Sequence, residues 1–386
     1  MHLKKHSISF FNKLFIVVTS FALYLQSTVV SSQPLPLNND IKLGMSNALS
    51  GPAKNLGQDL KQGSLVYFNN LNENGGIHGK KIKLISLDDG YEPENTVGNT
   101  RKLIEDEQVL ALFGYVGTPT TYAILPILNK SKIPYLMPFT GADFLRSPVV
   151  SNIYNLRASY YQEVQAQVNY LVKKLAFKNI AIVIQADEFG LSAQRDIIKV
   201  LKQYKMKPII SARFKRNSND IEQALAKLKT KPIDAVIFVG TYQPFSHLIN
   251  LAYQQGIRPL FTSLSFIGSQ SAFSHLKYPS KVMISEVMPD PNLCEWQLCQ
   301  NFLIDMDKAG IKKVNRIHLE GYLNAFVFAQ VAKMCTAKLT QKCLLEKFET
   351  FSFNDQTLTI NFSADNHQGL QQVYFSFSDV AKNHRE

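Results

Sequence analysis

Residues 41–93, IKLGMSNALSGPAKNLGQDLKQGSLVYFNNLNENGGIHGKKIKLISLDDGYEP, contain the unit from which the fold is predicted. The run IKLGMSNAL (41–49) has the apolar content of a buried strand, and KIKLISLDD (81–89) has that of a second one. Between them, residues 58–71 place Leu60, Phe68 and Leu71 on one face of a helix, which the glycine-rich NENGGIHG ends. A strand, a helix and a strand in this order predict two parallel strands with a helix packed on them.

The same alternation continues along the rest of the chain. It runs to YLMPF (135–139), restarts near Tyr160 and continues to KVMISEVM (281–288). A helical stretch over 296–348 and two strands, TLTINF and VYFSFS, complete the pattern. At 386 residues the chain can hold two domains. We therefore predict an α/β fold with mostly parallel sheets in two domains.

The composition is that of a globular protein, with 45% apolar and 19% charged residues. The formal net charge of +12 would suit a nucleic acid or a membrane surface if the basic residues were clustered. They are instead scattered, as in KKIK (80–83), KLKTK (227–231) and KAGIKK (308–313), without interleaved aromatic residues. We read them as solvated faces and predict no nucleic-acid partner.

The first 32 residues have the layout of a secretory signal peptide. Lys4, Lys5 and Lys13 precede the apolar run LFIVVTSFALYL, and small residues follow up to a cleavage position after Ser32. The alternative is an uncleaved membrane anchor, for which the apolar run is short. No cysteine lies near this position, which argues against a lipoprotein. The sequence predicts a protein exported to the periplasm.

The four cysteines all lie in the last quarter of the chain, at Cys294, Cys299, Cys335 and Cys343. In an exported protein an even number of cysteines suggests disulfides, and three pairings are possible. We favour Cys294–Cys299 and Cys335–Cys343, because each pair brackets a short irregular stretch. The alternative, a metal site, lacks a zinc-type spacing and a histidine cluster, so no metal is predicted.

The loops that follow the predicted strands carry no recognisable catalytic motif. GYVGTPTT (114–121) lacks the Gly-Lys-Ser/Thr ending of a phosphate-binding loop, and neither Ser50 nor Ser265 lies in a Gly-x-Ser-x-Gly turn. Asp88 and Asp89 end a strand and are interpreted as caps of the next helix. Threonine, serine and aromatic residues dominate these loops, a chemistry that suits binding of a carboxylate or another polar group. The sequence predicts a binding protein without a cofactor or a catalytic step.

Read together, these loops resemble the Leu/Ile/Val-binding family of periplasmic substrate-binding proteins of ABC transporters. The stretch 49–93 carries the most specific likeness, and QADEFG (185–190), GTYQP (240–244) and LEGYLNA (319–325) follow in the expected order. The resemblance extends from about Ile41 to Asp379. It implies two Rossmann-like lobes, joined by three hinge strands, that close on a small ligand.

From this resemblance we expect lobe 1 at 38–157 plus 287–358 and lobe 2 at 158–286 plus 359–386. The expected ligand is an amino acid or a related carboxylate or amide, and the expected partner is the membrane permease of an ABC transporter, with the binding protein itself a monomer. One alternative is a receptor domain that presents the bound ligand to a membrane sensor. Another is a secreted α/β hydrolase, against which the missing nucleophile argues.

The resemblance also implies a set of ligand-binding residues in this chain. Four of them have a plainer interpretation: Thr118 could cap a helix, Phe139 and Phe189 could be core residues, and Tyr242 could satisfy its hydroxyl inside its own lobe. The expected set is Thr118, Thr120, Phe139, Thr140, Gly141, Phe189, Tyr242 and Tyr322.

One position departs from the pattern of the family. Amino-acid binders place an acidic residue where this chain has Ser265, and that residue pairs with the ammonium of the ligand. A buried ammonium without a partner is costly, so either another acid replaces it or the ligand has no ammonium. Glu320 is the candidate replacement, although it could equally be a solvated helix residue. Leu56 stands where an aromatic residue is common, which changes the pocket mouth.

Overall fold

The computed structural model describes residues 40–378, so the predicted signal peptide lies outside the described residues. The first sheet has five parallel strands in the order β2-β1-β3-β4-β5. These are β1 (Ile41–Asn47), β2 (Ile82–Asp88), β3 (Ala111–Phe113), β4 (Tyr135–Leu136) and β5 (Ile153–Tyr154).

The second sheet has six strands in the order β13-β10-β9-β8-β6-β7, parallel except for β13, which is antiparallel to β10. β6 and β8 are buried along their whole length, which explains their continuous apolar sequences. The strands are β6 (Ile180–Gln185), β7 (Ile210–Phe214), β8 (Ala235–Val239), β9 (Leu260–Ser263), β10 (Val282–Glu286) and β13 (Tyr374–Phe377). The predicted α/β fold with two lobes and mostly parallel sheets is confirmed.

Helices connect the strands of both sheets. The helices are α1 (Lys54–Glu73), α2 (Pro93–Glu105), α3 (Thr118–Ser131), α4 (Tyr160–Asn169), α5 (Glu188–Gln203), α6 (Glu222–Leu228), α7 (Tyr242–Gln254), α8 (Ser269–Ser274), α9 (Gln297–Lys308), α10 (Arg316–Lys333) and α11 (Gln341–Phe348). The helical stretch predicted over 296–348 is thus three helices, because Gly310, with φ +77°, ends the first of them.

Two further elements differ from the sequence prediction. Helix α1 begins at Lys54 rather than at residue 58, since the Ser-Gly-Pro turn leads directly into it. The predicted strand TLTINF is reduced to β12 (Thr359–Asn361), which pairs with β11 (Ser352–Asn354) in a separate hairpin. Ile360 of this hairpin packs in the core of the first lobe.

Two segments that lie outside the strands, around Asn155 and Gln368, bond to one another in an isolated parallel bridge. The backbone N–H of Gly369 donates to the carbonyl of Asn155 (2.9 Å), and that of Leu370 donates to the carbonyl of Leu156 (2.8 Å). Residues 287–296 follow β10 towards α9. The expected lobe boundaries stay a prediction; for the third crossing we propose a later position, between Asn361 and Tyr374.

The four cysteines form two disulfides, Cys294–Cys299 and Cys335–Cys343, as favoured from the sequence. The first joins the segment before α9 to the first turn of that helix. The second joins the end of α10 to the first turn of α11.

Candidate functional site

Three hydroxyl groups meet at the start of helix α3. The Thr118 Oγ1 lies 2.7 Å from the Thr140 Oγ1 and 3.2 Å from the Tyr160 hydroxyl, and Thr140 lies 3.4 Å from the same tyrosine. Thr118 and Thr140 follow strands of the first sheet, whereas Tyr160 begins α4. All three side chains are fully buried. We call Thr118, Thr140 and Tyr160 the hydroxyl cluster.

The backbone beside the hydroxyl cluster is shaped by glycines. Gly117, with φ +116°, precedes α3 and provides no side-chain cap. Pro119 in the first turn has no N–H, so the N–H groups of Thr118 and Thr120 are the ones that keep donor capacity there. A Cβ on Gly117 would lie 2.5 Å from the Tyr91 ring, and one on Gly141 would lie 2.5 Å from the Tyr160 ring. Hydroxyl donors next to a helix N-terminus suit an anionic group such as a carboxylate.

Aromatic rings from both lobes pack beside the hydroxyl cluster. The Phe266 ring centroid lies 4.7 Å from that of Phe189, 5.6 Å from that of Phe139 and 5.8 Å from that of Tyr91. Tyr160 stands 5.1 Å from Phe189 and thus links the rings to the hydroxyls. We call Tyr91, Phe139, Phe189 and Phe266 the aromatic wall. It provides the apolar surface that a ligand body would contact.

A buried network of charged groups completes the site. The Arg157 guanidinium lies over the Phe139 ring at 4.0 Å, its Nε is 3.2 Å from Glu320 Oε1, and its Nη2 donates to the Ser265 Oγ at 2.8 Å. The Ser265 hydroxyl in turn donates to Glu163 Oε1 at 2.9 Å. Arg157 lies between β5 and α4, and this network joins Glu320 of α10 to Glu163 of α4. We call these four residues the charged network.

Burial dominates the electrostatics of the charged network. It raises the pKa of Glu320 from 4.5 to about 7, although the guanidinium of Arg157 acts in the opposite direction. The pKa of Glu163 is also raised by burial, against the effect of Arg157 and of the hydrogen bonds from Ser265. The folded protein therefore binds protons at these carboxyls more tightly than the unfolded chain does.

This difference predicts a pH dependence of stability that Glu320→Gln should weaken. The contribution of Glu320 is fully present below pH 4.5 and is lost as the pH rises through about 7. At 1.36 kcal/mol per pKa unit, it amounts to roughly 3 kcal/mol over that window. Urea denaturation from pH 4.5 to 8 measures it: the variant should lose less stability than the wild type. The exposed Glu105→Gln serves as control, and an unchanged profile in Glu320→Gln would contradict the prediction.

Polar contacts hold the two lobes together around the site. Glu92 of the first lobe accepts from Arg216 Nη2 at 2.5 Å and from Asn217 Nδ2 at 2.6 Å in the second. Deeper in, Gln185 Nε2 donates to the Tyr91 hydroxyl at 3.4 Å. These contacts place residues of both lobes against one another, as in a cleft that is closed.

The structure brings most of the expected ligand-binding residues together. Thr118, Phe139, Thr140, Gly141, Phe189 and Ser265 all lie in or against the hydroxyl cluster, the aromatic wall and the charged network. Glu320 is 3% exposed, so it is not a solvated helix residue. Leu56 packs in the same apolar cluster as the aromatic wall.

Three expected residues are placed differently. The Thr120 hydroxyl bonds its own turn through the carbonyls of Val116 and Gly117. Tyr322 faces the core of the first lobe, where its hydroxyl donates to Asp305 Oδ2 at 2.7 Å. Tyr242 packs in a separate core of the second lobe. Our proposed site therefore does not include these three side chains.

Sequence reasoning missed Tyr91, Arg157, Tyr160, Glu163 and Phe266. Arg157 and Tyr160 stand in RASY (157–160), directly before α4, where the sequence suggested only a helix start. The capping box formed by Ser159 and Gln162 determines where α4 begins, and it does not indicate a role for Arg157. Phe266 follows Ser265 in a short 3₁₀ turn and could have been found from its place after a strand.

Among residues 40–378, no group of three or more histidine, cysteine, aspartate or glutamate side chains is placed to hold a metal ion. No helix in this part of the chain is long and apolar enough to cross a membrane.

Comparisons with known proteins agree with this architecture. A family model described as periplasmic binding protein matches residues 40–380. The Leu/Ile/Val-binding protein homolog 7 of Brucella abortus is 28% identical over 235 residues, and the aligned part spans 58% of each chain.

Two solved structures show the same fold. A possible leucine/isoleucine/valine-binding protein from Rhodopirellula baltica is 29% identical, with a TM-score of 0.84 over 89% of this chain and 95% of its own. The branched-chain amino acid transporter substrate-binding protein of Streptococcus pneumoniae, solved with isoleucine, has a TM-score of 0.76 over 89% of this chain and 97% of its own. At 19% identity, this second likeness concerns the fold alone.

Proposed function

The chain belongs to the periplasmic binding protein family, and we propose that it captures a small polar organic ligand between its two lobes and delivers it to an ABC transporter. The ligand class is an amino acid or a related carboxylate or amide. The observation that carries the proposal is the meeting of the hydroxyl cluster and the aromatic wall, to which both lobes contribute. The proposal includes no catalytic step.

The proposed mechanism rests on the contribution of both lobes to the candidate site. A ligand that contacts Thr140 on one side and Phe189 on the other interacts with both only when the lobes are closed. Its binding therefore shifts the equilibrium towards the closed form, by an amount set by its greater affinity for that form. The rim contacts of Glu92 with Arg216 and Asn217 would stabilise the same state.

We further propose that residues 1–32 direct export and are removed, so that the mature protein is periplasmic. We also propose that the mature protein is a monomer. The permease would then recognise the closed form. Comparing uptake of the ligand in cells with and without this chain would separate transport from a sensing role, in which uptake would not change.

Thermal denaturation of the protein with small carboxylates, amides and amino acids tests the binding proposal. A compound present at a hundred times its dissociation constant stabilises the folded state by about 2.7 kcal/mol, so a true ligand should raise the melting temperature clearly. If none of these compounds raises the melting temperature, the result would count against the proposal.

Thr140→Val should lower the affinity for the compound that raises the melting temperature most by at least about tenfold. The substitution keeps the shape of the side chain but removes a hydroxyl, and a hydrogen bond to a charged group contributes about 1.5–3 kcal/mol. Thr121→Val is the matched control, because Thr121 is also buried and bonds a tyrosine, Tyr135, outside the site. Calorimetric titration measures both; equal losses of affinity in the two variants would place the ligand elsewhere.

A further inference from the structure

The carboxylates of the charged network already have partners. Glu163 accepts from the backbone N–H of Ser265 at 2.7 Å, from its hydroxyl at 2.9 Å and from the Ser285 hydroxyl at 2.7 Å. Glu320 is paired with Arg157. Glu163 is therefore not available to a ligand unless buried hydrogen bonds break, and the charge of Glu320 is already compensated by Arg157.

Glu286 is a further buried carboxylate in this region, and its Oε1 lies 3.5 Å from the Nε of Arg316. Asp187 lies next to the aromatic wall, and it has partners as well. It caps α5 by accepting from the backbone N–H groups of Phe189 (3.1 Å) and Gly190 (3.3 Å). Its other oxygen accepts from Gln185 Nε2 at 2.6 Å. Releasing it for a ligand would uncap the helix that carries Phe189.

The Ser265 hydroxyl lies between Glu163, to which it donates, and Arg157, which donates to it. Arg157 is 1% exposed, and its Nη1 has no hydrogen-bond partner among the described residues. The Gln185 Oε1 is likewise unpartnered, but it is a neutral acceptor and would not offset the charge of an ammonium. A ligand ammonium here would face a guanidinium, whereas an anionic oxygen would meet a free donor.

We propose that the ligand is an organic carboxylate with an apolar or aromatic body and without an ammonium group. Its carboxylate accepts from the hydroxyl cluster and the start of α3, in the electrostatic field of Arg157, and its body lies against the aromatic wall. This inference rests on the proposed function, because it names the substrate class of the same site. It also resolves the two possibilities left open by Ser265: Glu320 is paired with Arg157 and does not replace the missing acid.

Calorimetric titration of the wild-type protein with matched pairs of compounds tests the inference. In each pair the members differ only by the ammonium: L-phenylalanine and 3-phenylpropanoate, L-leucine and 4-methylpentanoate, and L-glutamate and glutarate. A further pair is built around the compound that raises the melting temperature most in the thermal screen. 3-Phenylpropanamide serves as the uncharged comparison. In every pair that binds, the member without the ammonium should bind at least about a hundredfold tighter, because a buried ammonium would lack an anionic partner.

The outcomes distinguish the inference from the proposed function. Tighter binding of the amino-acid members, equal binding within the pairs, or binding of amides alone overturns the inference while leaving a solute-binding protein. Absence of binding by every compound in the pairs and in the screen contradicts both. As a second readout, Thr140→Val should lower the affinity for the carboxylate that binds best. Thr121→Val should leave that affinity within about twofold of the wild-type value.

Discussion

Gly321→Ala should lower the free energy of unfolding by about 3 kcal/mol, the upper end of the usual cost of overpacking. Helices α1 and α10 touch backbone to backbone at this residue: a Cβ on Gly321 would lie 2.1 Å from the carbonyl oxygen of Leu60. A Cβ on Gly63 of α1 would lie 2.0 Å from the carbonyl oxygen of His318, so the contact is close on both sides. Neither atom belongs to a flexible side chain, and the helices would have to separate.

Gly98→Ala is the matched control for this prediction. Gly98 is also a helical glycine, in α2, and a Cβ there would meet no atom within 4 Å. This substitution should raise stability by about 0.4–1 kcal/mol, since alanine is the better helix former and restricts the unfolded chain. Urea denaturation measures both variants. A Gly321→Ala protein as stable as Gly98→Ala would mean that the two helices do not approach as described.

Arg157→Met should cost about 3–5 kcal/mol of stability at pH 8, the usual cost of breaking a buried ion pair from one side. The substitution leaves Glu320 without its partner and removes a donor from Ser265. The loss should shrink at pH 5, because the pKa of Glu320 is raised to about 7 and the carboxyl is then protonated in the folded protein.

The double variant Arg157→Met/Glu320→Met provides the control. Removing both partners leaves no unpaired charge between them, so the double variant should be more stable than Arg157→Met alone. Denaturation of the wild type, both single variants and the double variant gives the coupling between the two residues. A double variant that loses the sum of the single losses would show that the pair does not interact.

Much of the fold follows from local patterns in the sequence. The alternation of apolar runs and helical periodicity predicts the parallel sheets, because strands such as β6 and β8 are buried on both faces and are continuously apolar. The helical stretch predicted over 296–348 includes no break at Gly310, where the structure ends α9. The two disulfides agree with the sequence prediction, because each joins cysteines that are close in sequence, 5 and 8 residues apart.

The site could be predicted only where each residue follows a strand. Thr118, Thr140 and Phe189 stand at such positions, but Arg157 contacts Ser265 and Glu320, which are 108 and 163 residues away. No local pattern reports a contact of that range. Tyr322 follows Glu320 by two residues, and two residues turn a helix by about 200°, so the two side chains face in nearly opposite directions. Glu320 reaches Arg157, and Tyr322 accordingly packs against the core of the first lobe.

A crystal structure of the protein with the compound from the matched pairs that binds most tightly would show where the ligand lies. Our account predicts the ligand between the lobes, with its carboxylate oxygens within hydrogen-bonding distance of Thr118 and Thr140 and its body against Phe189. A ligand that contacts one lobe only would contradict the account. So would a ligand bound in the open groove lined by Ser269 and Tyr374.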